Sequence, residues 1–295
     1  MSIQQYEIFN KVAQVQSFTR AGEELNLTQS AISHAIRAFE RELGLNLFFR
    51  ARSGVKLTKD GEKVYRHTLN IVNAYQHLLQ EVAAISGVEK GEVSIGTFAS
   101  VTTHWLPGLI RKFQTHYPDI ELHIYEDDYD ALEAAVEKGE LDCCFTVDSP
   151  NKKIEFIPLS RDRLYCIVST ESPLSREPII KLECLEQYPL IKPKEGWDRE
   201  INNLFNTYHI RPNNRYLISD DHAIISMVRA DLGINIRPGL VLTDFPEGIR
   251  AIQLEVDAHR TIGLAVSSRP SLATQKFIAM ACDLLKETDK EITSR

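Results

Sequence analysis

The chain has 295 residues, 43% hydrophobic and 25% charged, with 34 Lys plus Arg against 41 Asp plus Glu for a formal charge of -7. That composition suits about two folded domains whose cores need neither disulfide nor metal. Taken whole, the acidic balance argues against a protein coated with basic charge for nucleic acid, and the polar Met1 to Arg20 and the lack of an 18-residue apolar run argue against a secretory leader and a membrane span.

The charge is uneven along the chain. Residues 1–90 carry 11 basic and 9 acidic residues, a net of +2, and the remainder carries 23 and 32, a net of -9. Three short helices are expected first. Ile3, Tyr6, Phe9 and Ala13 recur at helical spacing. Ser17 suits an N-cap for a helix with Phe18, Ala21 and Leu25. Thr28 suits the N-cap of a third, with an apolar stripe of Ile32, Ala35, Ile36, Phe39 and Leu43 and Gly44 just past its end.

The other face of that third helix carries Gln29, Ser30, Ser33, His34, Arg37 and Arg41. Short hydrogen-bonding side chains in a first turn, followed by arginine, match what a major groove asks of a recognition helix. The short link Asn26–Leu27 suits a helix-turn-helix. A solvated helix face would account for the same face equally well. The next segment favours the groove reading. Leu47–Phe49 and Val55–Leu57 read as a hairpin around Ser53–Gly54, with Arg50, Arg52 and Lys56 at a basic tip suited to a minor groove or to phosphates.

A long helix is expected from Thr58 to Ser86. Leu57, Val64, Ile71, Leu78 and Ile85 lie seven apart, with Tyr75 and Val82 between them and Thr68 as the polar interruption. Such a 3.5-residue period predicts a coiled-coil dimer seam, which would set two recognition helices on two half-sites. The alternative is a helix packed on its own domain.

These residues resemble the N-terminal signature of the LysR-type transcriptional regulators. The resemblance rests on Ser17-Phe18-Thr19, Ala21, Leu25, Thr28-Gln29-Ser30-Ala31-Ile32-Ser33, Ile36, Phe39-Glu40, Leu43-Gly44, Leu47-Phe48, Arg50 and Leu57-Thr58 with Gly61, about 60 positions at fixed spacing. Thr28 stands where that family usually has Ser, and His34 and Ala35 stand where basic or polar residues are frequent. The resemblance implies a winged helix-turn-helix at 1–58, a dimerising linker helix at 59–90 and an effector-binding domain at 91–295. It implies Thr28, Gln29, Ser30, Ala31, Ser33, His34, Arg37, Arg50 and Arg52 as the DNA-binding residues. The implied partners are double-stranded promoter DNA, a second copy in a homodimer, a homotetramer and RNA polymerase, in the cytoplasm and away from membranes.

From Gly91 strands and helices alternate. Val93–Gly96, Ile120–Tyr125 and Leu141–Val147 read as strands around helices at Leu106–Phe113 and Ala131–Lys138, a βαβαβ order that predicts a parallel sheet. Further strands are expected at Leu164–Ser169, Leu190–Lys192, Tyr216–Ser219, Ile234–Ile236 and Ile262–Ser267. Helices are expected near 182–187, 199–208 and 221–231 and at Ser271–Thr288. The fold class is thus α+β and multidomain. By resemblance the last domain has two α/β subdomains (91–161 with 267–295, and 162–266), like periplasmic binding proteins. The chain would cross near Leu159–Arg163 and return near Leu264–Ser268.

A cleft between such subdomains has candidate ligand groups. Ser100, Val101, Thr102 and Thr103 open a helix after the first strand, where hydroxyls and N–H groups hold small anions or simply cap the helix. Thr146, Lys192, Trp197 and Arg237 follow other strand ends. With Lys194, the cations favour an anionic effector. No cofactor and no metal site is expected, since the nine histidines do not cluster. The five cysteines show no CxxC pair, and Cys143-Cys144 in an apolar strand reads as packing. The segment 193–210, where redox-sensing relatives carry a reactive pair, has no cysteine. A binding module without DNA function leaves the Ser/Gln/Arg face unexplained. An α/β enzyme lacks any paired nucleophile and base, so no catalytic residue is expected.

Overall fold

The computed structural model describes residues 1–51, 54–85, 90–151, 153–242, 247–267 and 269–293, with side chains omitted at 50, 51 and 286–293. The chain divides into two compact units. One is Met1–Gly91 with Lys138–Glu140, and the other is Glu92–Glu137 with Leu141–Arg295. Among the described residues no helix is long and apolar enough to cross a membrane.

In the first unit, α1 (Ile3–Val15), α2 (Phe18–Glu24) and α3 (Gln29–Leu43) precede a hairpin of β1 (Phe48–Ala51) and β2 (Gly54–Leu57) and the long α4 (Lys59–Ile85). Local chemistry sets each boundary. Ser17 Oγ accepts from the Arg20 N–H and Thr28 Oγ1 from the Ala31 N–H, satisfying donors that a helix start leaves open. Gly44 ends α3 in the left-handed conformation at φ 67°. The turn between α2 and α3 passes so close to Gly22 that a Cβ there would lie 2.7 Å from the Leu27 carbonyl oxygen.

Phe9 is fully buried at the centre of this unit, its ring 5.4 Å from Phe39, 5.3 Å from Phe48 and 6.3 Å from Tyr65. Tyr65 and Leu69 bring the first half of α4 into this core, and Thr68 donates to Asn10 Oδ1 at 2.6 Å. The polar interruption in the expected seam is therefore a buried hydrogen bond within the unit. Val64 and Leu57 also pack on this core, so the seven-residue repeat serves two purposes along one helix. Only its second half, from Ile71 onward, leaves the repeat uncovered, with Leu78 57% and Ile85 85% exposed.

The second unit runs β3 (Gly91–Thr97), α5 (Ala99–His104), α6 (Leu106–His116), β4 (Ile120–Glu126), α7 (Tyr129–Lys138) and β5 (Cys143–Val147). A 15-residue strand β6 (Glu155–Ser169) follows, then α8 (Cys184–Gln187), β7 (Leu190–Pro193), α9 (Arg199–Thr207), β8 (Asn214–Ile218) and α10 (Asp221–Arg229). The chain closes with β9 (Asn235–Pro238), β10 (Ile249–Gln253), β11 (His259–Val266) and α11 (Leu272–Thr293). Among the described residues, one sheet has the order β10–β6–β11–β5–β3–β4 with β9 also beside β6, and β7 and β8 pair separately.

That sheet is mixed, which corrects the expected parallel one. β3 and β5 are parallel, but β11 is antiparallel to both β5 and β6. The expected strand at Leu164–Ser169 is only the second half of β6. Its first half carries Pro158 and the charges Arg161–Arg163, which disguise a strand. Pro158 is accommodated opposite Gly263, where the register with β11 shifts. The sequence pattern gives no strand at β10, whose burial follows no clean two-residue alternation.

Two lobes grow from β6. Its first half, with β3, β5, α6 and α11, packs a core around Phe113, Phe145 and Phe277, and its second half packs another around Leu164, Cys166 and Ile236. Ile262, Leu264 and Val266 belong to the first core, whereas Leu254 and Ala258 belong to the second. The return crossing thus falls at about 259–261, earlier than Leu264–Ser268. Cys143 and Cys144 face opposite sides of β5 and pack into different cores. Burial pushes both thiols well up.

Replacing Gly22 by Ala is expected to lower the stability of the first unit by about 1–3 kcal/mol, because a backbone carbonyl occupies the Cβ position. An unchanged urea midpoint would show that the α2–α3 turn yields at no cost.

Candidate functional site

Two sites emerge, one in each unit. In the first, α3 is divided along its length. Ile32, Ile36 and Phe39 are buried, while Thr28, Gln29, Ser30, Ala31, His34 and Arg37 are exposed and Ser33 is half-buried. Arg37 and Arg41 form no ion pair among the described residues, so their charge faces outward. Glu40 pins the hairpin to this helix by accepting from the Leu47 and Phe48 N–H groups at 2.7 and 3.2 Å. The Val55 N–H adds a bond to the Gln16 carbonyl at 3.1 Å. A rigid scaffold therefore carries a polar helix face beside a two-stranded wing. Arg50 stands on β1 opposite Val55. Arg52, also expected to contact DNA, lies outside the described residues.

In the second unit the expected residues part company. Ser100 is buried, and its hydroxyl accepts from Arg260 at 3.0 Å. Val101 turns into the first core, and its N–H donates to the Phe98 carbonyl at 2.9 Å. Thr102 Oγ1 donates within 3.2 Å of Thr97 Oγ1 and the Phe98 carbonyl, and Thr103 is exposed. Thr146 is fully buried and donates to Glu133 Oε1 at 2.6 Å. Trp197 is half-buried against the first core. Lys192 pairs with Asp198 at 2.6 Å and Arg237 with Asp221 at 2.6 Å. Each cation that favoured an anionic effector, Lys194 apart, thus has its own acid.

Sequence reasoning missed the charges that join the lobes. Arg199, at the start of α9, reaches across to α7 and β5. Its Nη1 donates to Glu133 Oε1 at 2.6 Å, to the Val147 carbonyl at 2.7 Å and to Thr146 Oγ1 at 3.3 Å. Its Nη2 reaches the exposed Asp130 at 2.5 Å. Burial works against the Arg199 charge, yet Glu133 and Asp130 outweigh it and hold its pKa above the usual value. The Arg199 guanidinium also lies 5.3 Å from the centre of the Tyr129 ring.

Arg260, on β11, is 2% exposed. Its Nε and Nη2 donate to Asp162 Oδ2 at 2.9 and 2.8 Å, and its Nη1 reaches Tyr129 Oη at 3.3 Å and Glu200 Oε1 at 3.4 Å. Its guanidinium lies 5.4 Å from the Phe98 ring centre. Burial opposes this charge too, but Tyr129, Glu200 and Asp162 raise its pKa. Ser100, Tyr129, Asp162 and Glu200 thus converge on one guanidinium between the lobes. A partial signal existed. Glu133 interrupts the apolar stripe Tyr129, Leu132 and Val136 of α7, and a carboxylate on a buried face needs a partner.

Comparison with known proteins agrees with this layout. Residues 3–62 match the bacterial regulatory helix-turn-helix protein, lysR family, and residues 86–285 match the LysR substrate binding domain. An uncharacterized HTH-type transcriptional regulator of Bacillus subtilis (strain 168), YvbU, is 31% identical over 96% of this chain and 99% of its own. A full-length OxyR point variant from Pseudomonas aeruginosa aligns with a TM-score of 0.77 at 23% identity over 97% and 95% of the two chains. Full-length CbnR, solved in complex with its target DNA, aligns with a TM-score of 0.66 at 21% identity over 98% and 100%.

Removing Arg199 strands the buried Glu133 carboxylate. Arg199→Met is expected to cost about 3–5 kcal/mol in the unfolding of the second unit, and adding Glu133→Leu should recover most of it. Equal losses in the single and double variants, followed by denaturant unfolding, would remove this contact as a junction between the lobes.

Proposed function

The chain belongs to the LysR family of transcriptional regulators, and from that premise we propose how its own residues divide the work. Gln29, Ser30, Ser33 and His34 read base edges in the major groove from the first turns of α3, with Thr28 and Ala31 against the backbone. Arg37 holds phosphate, and Arg50 and Arg52 extend the contact along the wing. The observation that carries this reading is the division of α3 into a buried apolar side and an exposed polar side, with an arginine that forms no ion pair among the described residues.

The uncovered second half of α4 is the proposed dimer seam. Ile71, Tyr75, Leu78, Val82 and Ile85 present a continuous apolar stripe, and a second copy is the partner whose pattern matches it. Two copies set two α3 helices on the half-sites of a promoter, and a tetramer doubles that arrangement. The second unit holds the effector in the cleft between its lobes, beside Ser100, Thr102, Thr103 and Trp197, with Thr146, Lys192 and Arg237 shaping the surrounding charge. Effector binding shifts the balance between two arrangements of the lobes and so changes the contact with promoter DNA and RNA polymerase. We read the chain as a cytoplasmic regulator with no catalytic step of its own, and the expected division at 58/59 and 90/91 as its working domain plan.

In a gel shift with promoter DNA upstream of its own gene, Arg37→Ala should weaken binding roughly equally on specific and random sequence. The slope of log affinity against log salt should fall by about 1. Wild type that shows no preference for the promoter would sink the DNA-reading assignment. Replacing Ile71 and Leu78 together with Lys should halve the sedimenting mass or reduce it further, and an unchanged mass would rule out this stripe as the seam.

A further inference from the structure

The guanidinium of Arg260 is held unevenly. One edge, Nε and Nη2, is bound tightly by Asp162 Oδ2, and Asp162 Oδ1 is itself fixed by the Leu240 N–H at 3.0 Å. At the other end Nη2 also donates to Ser100 Oγ at 3.0 Å, but Nη1 is held loosely and reaches its two acceptors only at 3.3 and 3.4 Å. The weaker of these is Glu200, which is buried, and whose second oxygen, Oε2, has no hydrogen-bond partner among the described residues. A buried carboxylate with one oxygen unpartnered among the described residues is poorly suited to stay charged beside a second anion. It stands beside a guanidinium edge that two parallel acceptors would fill better.

We propose that the Nη1 edge of Arg260, with the hydroxyls of Ser100 and Tyr129, is the seat of the carboxylate of a small monocarboxylate effector, and that Glu200 is the internal group this ligand displaces. The inference rests on the effector reading of the cleft and adds the chemical class of the ligand. A single negative charge is favoured by the local balance. Arg260 is already opposed by Asp162 and Glu200, so no surplus positive charge awaits a dianion such as a phosphate monoester. When a monocarboxylate enters and Glu200 takes one proton from solvent, the sum of buried charge is unchanged. The new Glu200 O–H then donates to the ligand instead of repelling it.

The surroundings of Glu200 are consistent with that exchange. Burial raises its pKa; Arg260 on β11, its own backbone N–H and Arg237 on β9 oppose that rise without cancelling it, and Asp162 on β6 adds to it. Tyr129 on α7 also faces it, and burial pushes that phenol further up, so it stays neutral.

The test uses acetate as the smallest planar monocarboxylate, titrated into the full-length protein by thermal shift at constant ionic strength, with chloride as the control salt. In wild type the acetate affinity should fall with rising pH, by up to about tenfold per unit once Glu200 must be protonated for binding. Glu200→Gln keeps the shape and removes the titration, so its acetate affinity should be flat with pH and higher than wild type at pH 8. Adding Ser100→Ala to that variant should weaken acetate several-fold. A pH-independent wild type, a pH-dependent Glu200→Gln, no acetate effect beyond chloride in Glu200→Gln, or indifference to Ser100→Ala would each overturn the proposal. A protein that binds promoter DNA yet ignores acetate loses this inference and keeps its regulatory reading. One that titrates as described but ignores DNA does the reverse.

Discussion

A buried guanidinium imposes conditions on everything around it. Arg260 is 2% exposed, and the loss of its hydration has to be offset by acids and acceptors arranged at hydrogen-bond distance. Asp162 arrives from β6, Ser100 from the start of α5, Tyr129 from α7 and Glu200 from α9. These elements belong to both lobes, so one charge ties together the two strands that cross between them and the helix starts on either side. Arg199, the chain neighbour of Glu200, repeats the device with Glu133, Thr146 and the Val147 carbonyl as its acceptors. The lobes are therefore joined by ionic and polar contacts, with Trp197 and Leu240 of the second lobe packed against the edge of the first core.

The first unit obeys a different constraint. Its core is a cluster of aromatic rings around Phe9, and the helices are capped locally by Ser17, Thr28 and Gly44. Because that core takes only one side of α3, the opposite side is free to be polar. Because it takes only the first half of α4, the second half keeps an apolar stripe uncovered. The repeat of seven along α4 therefore covers two kinds of packing. Thr68 marks the change, as a hydroxyl placed to meet Asn10 rather than a flaw in a seam.

The charge balance takes on meaning from the same division. A total of -7 speaks for neither unit. In the first unit Arg37 and Arg41 sit on the exposed side of α3 without an acid partner among the described residues, whereas in the second nearly every buried cation is matched. Unpaired surface arginine is suited to phosphate at long range, and compensated buried arginine to a selective small site. Lys192 and Arg237 illustrate the difference. Their strand-end positions were visible in the sequence, but Asp198 and Asp221 take up their charge.

What the sequence by itself determined is what local interactions decide. The period of apolar residues placed α1 to α4, Ser and Thr at helix starts placed the caps, and the signature around Thr28 to Gly61 placed the wing and the family. All of these depend on neighbours within a few residues. The crossing strands, the mixed sheet and the charged junction were decided only by tertiary structure. Ser100 and Arg260 stand 160 residues apart, Arg260 and Asp162 98, and Arg199 and Glu133 66. A glutamate or arginine carries the same symbol whether water or another chain segment surrounds it. Its chemistry follows from burial, and burial is set by which distant segments fold against it.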